Sequence, residues 1–213
     1  MSNLYNNLSE IYEMMYQTFI NYDEEYRYYS DKLKKYNSKS VIELGCGTGN
    51  LGTGFIADGI DYTGVDMNSA MLEMAKKKNL KGIFREDDMR NFTLPEKKDA
   101  CIFAGRTSAY LITNKDVLDT LKSIHANLND SGVVCFDVID ATKFIPLIRN
   151  SKKITHKAEF KGRKFQRESF WLLHDVQSGT FRWDSVYYEI NEESHLHEIE
   201  KTIPLSGRLQ EMI

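Results

Sequence analysis

The chain holds only three cysteines, Cys46, Cys101 and Cys135, and no C-x-x-C spacing. An odd and scattered set excludes both a disulfide framework and a zinc site of the paired-cysteine kind. Cys101 and Cys135 lie within apolar runs and read as small buried hydrophobes. No apolar run reaches the roughly eighteen residues of a membrane-crossing helix. The first five residues, Met-Ser-Asn-Leu-Tyr, lack the basic start and apolar core of a secretory signal. An excess of one charge is also missing, since 28 Lys and Arg stand against 31 Asp and Glu, a formal net of −3. Nothing in that balance attracts a polyanion. The expectation is a soluble, cytoplasmic protein whose 213 residues make one well-cored α/β domain plus an addition.

The information that is present concentrates in residues 41–50, Val-Ile-Glu-Leu-Gly-Cys-Gly-Thr-Gly-Asn. A short apolar strand carrying Glu43 breaks into a turn with Gly45, Gly47 and Gly49. Without a Cβ these residues tolerate positive φ and let the backbone approach a bulky ligand closely. Asp66 ends the next strand and Asp88 follows the one after. A dinucleotide site would need G-x-G-x-x-G for its pyrophosphate. Asn50 stands where the third glycine belongs, and Glu43 would repel the phosphates. A ligand with an amine, a sulfonium and an adenosine has the opposite requirements: carboxylates for its cations and ribose, and no phosphate pocket.

The segment Glu43-Leu-Gly-Cys-Gly-Thr-Gly49 resembles motif I of the class I S-adenosylmethionine-dependent methyltransferases. Val65-Asp66-Met67 is similar to the ribose-binding strand end of that superfamily, and Asp88-Met89 to its adenine-binding pair. The resemblance covers roughly residues 40–140. It implies that Glu43, Gly45, Cys46, Gly47, Asp66, Met67, Asp88, Met89 and the backbone near Gly105 hold S-adenosylmethionine, with Cys46 serving through its backbone. The tyrosine-rich start, with Tyr12-Glu13, Tyr16 and Tyr22-Asp23, resembles the N-terminal segment of small-molecule N-methyltransferases, amino-sugar ones included. By that likeness Tyr12 faces the cofactor and Tyr16 the reacting groups; packing on the core is the alternative for both.

The periodicity predicts helices over 7–16 and 23–36, then alternating strands and helices. Strands are expected at 41–44, 61–65, 82–86, 99–104 and 133–138, and helices near 50–58, after a cap at Asn68 or Ser69, and from Thr113 with Asp116 in its first turn. Five βα units argue for a Rossmann-like, doubly wound, mostly parallel sheet covered on both faces. Beyond a short helix at 141–149, strands over 154–160, 164–174, 180–190 and 195–203 are expected to form an antiparallel insertion. The basic residues of 149–167 could pair there with the acidic ones of 184–200. The domain organisation read from this is an N-terminal helical cap (1–38), a cofactor-binding core (39–140), an antiparallel lid or platform (141–204) and the start of a helix (205–213). The family's C-terminal hairpin is expected to be missing, which would leave strand five as an exposed edge and points to a shortened chain.

Methyl transfer from a sulfonium is a displacement on an activated carbon and asks mainly for alignment and exclusion of water. A proton acceptor for an amine substrate is expected after strand four, where Tyr110 stands, with Tyr16 as the second catalytic candidate. Arg106 could bind an acidic group of the substrate, a surface role being its alternative. The Asn/Asp-Pro-Pro-Tyr/Phe signature of enzymes that methylate bases or glutamine amides is absent, so a small-molecule acceptor is expected. His195, His197, His156 and His174 lack a third ligand at fixed spacing, so no metal is expected. The basic run lacks interleaved stacking aromatics, which speaks against nucleic acid. A monomer or homodimer is expected. A catalytically silent cofactor-binding module and a nicotinamide oxidoreductase are the rival readings.

Overall fold

The computed structural model describes residues 9–79, 81–149, 153–175, 178–190, 196–201 and 205–208. The chain divides into two units, Asn21–Asp137 and Met1–Ile20 with Val138–Ile213.

The unit Asn21–Asp137 is built on β1 (Ser40–Leu44), β2 (Asp61–Asp66), β3 (Ile83–Glu86), β4 (Lys98–Phe103) and β5 (Leu128–Phe136), all paired in parallel in the order β3-β2-β1-β4-β5. Alternation along β1 decides which side chain enters which layer. Ile42 and Leu44 join Val65, Cys101 and Phe103 under Phe92, Leu94 and Ile124. Val41 points the other way, with Tyr62, Ala100 and Ile102, against Tyr29, Leu33, Leu51 and Phe55. A strand buried on both faces must be apolar at nearly every position, and each fully buried Val, Ile or Leu contributes about 1.5–3 kcal/mol. Glu43 is the exception, which directs attention to it.

Three helices of this unit begin where the sequence offers a side-chain acceptor, and the fourth has no side-chain cap. The helix Tyr22–Lys35 (α2) is capped by Asn21, with three acids in its first turn and three lysines in its last. Asn50–Ala57 (α3) follows the glycine turn, and Ser69–Lys78 (α4) is capped by Asn68. Asn114–Asn127 (α5) starts in a reciprocal box in which Thr113 and Asp116 each satisfy the other's backbone N–H. One departure lies at β5, which was expected from 133 but starts at Leu128 opposite Lys98. The pairing then shifts register before Ala100 meets Val133, and Ser131 takes a φ of +66° in the irregular stretch. Because β5 is an end strand of this sheet, Cys135 is only half-buried, unlike the fully buried Cys101.

The other unit contains α1 (Ser9–Tyr16), α6 (Ala141–Arg149) and the antiparallel strands β6 (Ile154–Phe160), β7 (Arg163–Asp175), β8 (Thr180–Ile190), β9 (Leu196–Lys201) and β10 (Leu205–Arg208). Lys161 and Gly162, at φ +50° and +77°, make the two-residue turn from β6 to β7. Arg163 pairs with Glu189 of the acidic run as anticipated (2.9 Å), whereas Lys153 pairs with Glu168 outside that run (2.7 Å) and Arg167 forms no ion pair among the described residues. The core is Ile11 and Met15 of α1 on Ala158, Phe165 and Tyr187.

The helix expected to start at 205 is not formed over 205–208. Leu205–Arg208 pairs with Trp183–Thr180 of β8, and Gly207 lies opposite Phe181, whose ring fills the space a Cβ would need. A Ser-Gly pair propagates a helix poorly, and an open strand edge supplies the backbone bonds instead. Residues 209–213 of that expected helix lie outside the described residues, as do His195 and the end of the strand expected over 195–203.

Candidate functional site

In the order β3-β2-β1-β4-β5 the direction of winding reverses between β1 and β4. Ligands of open α/β sheets bind outside the carboxyl ends of the strands at such a point. Two loops leave the sheet there. After β1, Gly45, Gly47 and Gly49 take φ of +69°, +52° and +73°. The N–H groups of Gly45 and Cys46 both donate to the Val65 carbonyl, at 2.7 and 3.2 Å, which ties the turn to the end of β2. After β4, Gly105 and Arg106 take φ of +65° and +68°. The two loops touch: a Cβ on Gly45 would lie 2.7 Å from both Cγ2 and Oγ1 of Thr107. A Cβ on Gly47 would meet nothing within 4 Å. Gly45 therefore serves loop packing, whereas Gly47 bares its backbone.

Carboxylates hold these loops in place. Asp66 accepts from the N–H of Gly47 at 2.8 Å through Oδ2 and from that of Asn68 at 2.9 Å through Oδ1. Burial pushes its pKa up even so, with the N–H bonds opposing. Glu43 is 5% exposed and accepts from the Tyr62 hydroxyl at 2.5 Å. Burial, aided by the nearby charges of Asp66 and Glu25, pushes its pKa up to about 8 against the pull of the Tyr62 bond. Its neighbour across the strand pair is Gly64, where a Cβ would fall 2.8 Å from Cys46 Sγ and 3.0 Å from the Tyr62 hydroxyl. Glycine at 64 is thus what lets these three groups share one space. Burial also pushes the Cys46 thiol well up, which leaves no nucleophile there. A carboxyl group that holds its proton near neutrality, with a second whose pKa burial raises, beside a bare backbone forms a site that favours a cation over a phosphate.

The remaining expected residues are placed as follows. Met89 packs on the core, and Met67 is 41% exposed. The Asp88 carboxylate, expected to face an adenine amine, instead accepts from Arg90 at Nε (3.0 and 3.1 Å) and Nη2 (2.6 Å). Arg90 also reaches Asp116 at 2.9 Å, and these bonds pull Asp88 below the usual carboxylate range. The Arg106 side chain is exposed and Tyr110 is 40% exposed on a short 3-10 helix, Thr107–Tyr110. Tyr12 and Tyr16 belong to the other unit, where their rings stack at 3.8 Å and the Tyr16 hydroxyl accepts from Arg167 at 3.0 Å.

Sequence reasoning missed Tyr62, Thr107 and Asp137. Asp137 accepts from the Arg106 N–H at 2.9 Å, and its carbonyl accepts from the Ser108 hydroxyl at 2.7 Å, so it holds the loop after β4. Its signal was available, because it is an acid following an apolar strand just as Asp66 is. Tyr62 and Thr107 carry no such signal, since their roles arise only from strand pairing.

Residues 41–132 match the family model described as "Methyltransferase domain". YqeM of Bacillus subtilis, a methyltransferase by assignment only, is 27% identical over 165 residues, 73% of this chain and 65% of its own length. An N,N-dimethyltransferase of dTDP-3-amino-3,4,6-trideoxy-alpha-D-glucopyranose from Streptomyces venezuelae is 28% identical over 97 residues, 46% of this chain and 41% of that one. The chain therefore spans less than two thirds of the length of either relative. In fold it is similar to crystalline DesVI of Streptomyces venezuelae, with a TM-score of 0.80 at 18% identity over 95% of this chain and 84% of that one. It is likewise similar to CalS10, an amino pentose methyltransferase of Micromonospora echinaspora, with a TM-score of 0.76 at 18% identity over 94% and 83%. Sheet order, glycine turn and strand-tip acids agree with these likenesses: residues 41–132 match a methyltransferase domain, and the fold is similar to that of DesVI and of the amino pentose methyltransferase CalS10.

Proposed function

We propose that this chain transfers the methyl group of S-adenosylmethionine to a nitrogen of a small polar acceptor. The observation that carries the reading is the grouping of Glu43 and Asp66 around the bare backbone of Gly47. The residues fit the cofactor, since a Cβ at Gly47 would intrude where the backbone is open, and both carboxyl groups gain from a nearby cation. When bound, the cofactor supplies a methyl group already activated by its sulfonium. Gly45, Cys46 and Gly47 would offer backbone to its amino-acid portion, and Asp66 and Met67 would meet the ribose. Asp88 and Met89 would flank the adenine, with Arg90 as the group from which Asp88 must turn. Gly105 would close the site from the β4 side.

On the acceptor side, an amine attacks only as its neutral form, so a proton must leave before or during attack. Tyr110 is the hydroxyl assigned to relay it, and Arg106 would pair with an acidic group on the substrate. Nitrogen is favoured over oxygen because the similar Streptomyces venezuelae protein is an N,N-dimethyltransferase of an amino sugar. A panel of amines, alcohols and carboxylates, incubated with cofactor and analysed for methylated product by mass spectrometry, tests this. Methylation confined to amines is expected. Binding of cofactor with no product from any class would favour a silent cofactor-binding module, and methylated alcohols alone would overturn the nitrogen assignment.

A further inference from the structure

One face of the pair β7/β8 carries an arrangement that the methyl-transfer chemistry does not use. Arg167, Ser169 and Trp171 of β7 stand opposite Tyr187, Ser185 and Trp183 of β8, and the alternation of strands puts all six on the same side. Arg167 is 6% exposed, yet its guanidinium forms no ion pair among the described residues. It donates to the Tyr16 hydroxyl and faces His156 Nδ1, both at 3.0 Å. The Tyr187 hydroxyl also supports its charge, and the rings of Tyr16, Phe19 and Trp183 are centred 5.4–5.6 Å away. Rings attract a cation but accept hydrogen bonds poorly. Arg167 Nε and the indole nitrogens Nε1 of Trp171 and Trp183 are all buried without an acceptor. The two indoles are stacked in parallel, 5.1 Å apart at 3°.

Buried donors without acceptors are rare in native proteins, and each asks for a partner. Here three occur on one face, all are N–H groups, and a buried positive charge accompanies them. Water could take the hydrogen bonds but not balance the charge. We propose that this face is an oxyanion-binding site, with Arg167 as its charged anchor and the Trp183 indole N–H as a directional donor, and that it receives a phosphate or carboxylate group of a small molecule. Assigning that group to the methyl acceptor rests on the function proposed above; the anion site itself does not. A planar guanidinium presents a fork that matches an oxyanion in two places, which lysine cannot reproduce.

The only two tryptophans of the chain are Trp171 and Trp183, so fluorescence excited selectively in tryptophan, away from the tyrosine absorption, reports on this face alone. The full chain is titrated at constant ionic strength with inorganic pyrophosphate, with succinate and with sodium chloride. A saturable change with pyrophosphate or succinate, absent with chloride, is expected. Tighter pyrophosphate binding identifies a phosphate-bearing ligand, and tighter succinate binding a carboxylate. Arg167→Lys and Trp183→Phe should each weaken binding by ~10-fold, equivalent to about 1.4 kcal/mol. Trp183→Phe keeps a ring against Arg167 and leaves Trp171 as reporter, so it serves where the arginine variant fails to fold by circular dichroism. No saturable change with either anion, or unaltered affinity in a folded variant, would overturn the proposal. Calorimetry with S-adenosylhomocysteine on the same samples separates the two readings. Lost anion binding with intact nucleoside binding counts against this site only, and the converse against the methyltransferase reading only.

Discussion

The Tyr62 hydroxyl donates to Glu43 Oε2 at 2.5 Å across the β1/β2 pair, and both side chains are buried. One carboxyl group in an otherwise apolar strand is thereby tolerated, because its proton is retained near neutrality and Oε2 accepts a bond. Holding a latent charge beside Gly47 readies the turn for a cation.

Stability should therefore fall as pH rises. The folded pKa of Glu43, about 8, exceeds its ordinary 4.5, so the folded state binds more protons in that interval. The contribution is complete below the ordinary value and is lost as pH passes through the folded one, with a slope of at most ~1.4 kcal/mol per pH unit. Urea unfolding from about pH 5 to about pH 9 should show this decline, and Glu43→Gln should flatten it. An equal slope in both proteins would remove Glu43 as its source.

Two glycines of the same turn should respond differently to alanine. Positive φ costs either variant about 1–2 kcal/mol. Gly45→Ala adds a collision with Thr107 at 2.7 Å and should lose more stability. Gly47→Ala meets no protein atom within 4 Å, so it should stay folded yet fail to bind the cofactor. Thermal melts paired with cofactor titration read both effects, and normal binding by Gly47→Ala would contradict the assignment.

Asp66→Ala removes the acceptor for the Gly47 and Asn68 N–H groups as well as the proposed ribose contact. Cofactor binding should weaken by ~1–3 kcal/mol, the scale of a lost charge-assisted bond. Asp66→Asn retains one acceptor oxygen and should lie between the two. Unchanged affinity in a folded Asp66→Ala protein would take this residue out of the site.

The start of α5 offers a test of local structure. Thr113→Ala breaks the reciprocal box with Asp116 and should cost ~1 kcal/mol, or roughly 2–4 °C in Tm for a chain of this size. Calorimetric melting checks it; an unchanged Tm would show that the cap contributes nothing.

The parallel sheet was legible because strand and helix periods alternate with apolar cores and helix caps at Asn68 and Thr113. Gly45, Gly47 and Asp66 were legible because close approach and positive φ demand particular residue types at fixed spacing. What escaped was set by pairing across the sheet. Tyr62 acquires its role only from the absent side chain of Gly64, and Thr107 from the closeness of two loops. Asp88 and Arg90 form a pair within one short loop, which composition does not distinguish from two solvated charges. Arg167 looked like one member of a basic run balanced by acids, and only the β7/β8 register shows the aromatic rings around it, with no ion pair among the described residues. Leu205–Arg208 is too short for periodicity to decide, and the free edge of β8 decides it.

The most direct test of the central claim is calorimetric titration of the full chain with S-adenosylhomocysteine, repeated with Gly47→Ala. Saturable binding of one nucleoside by the parent chain and none by the variant is the result expected of a turn built to hold it. No heat from a folded parent chain at millimolar ligand, or equal binding by both proteins, would contradict the account.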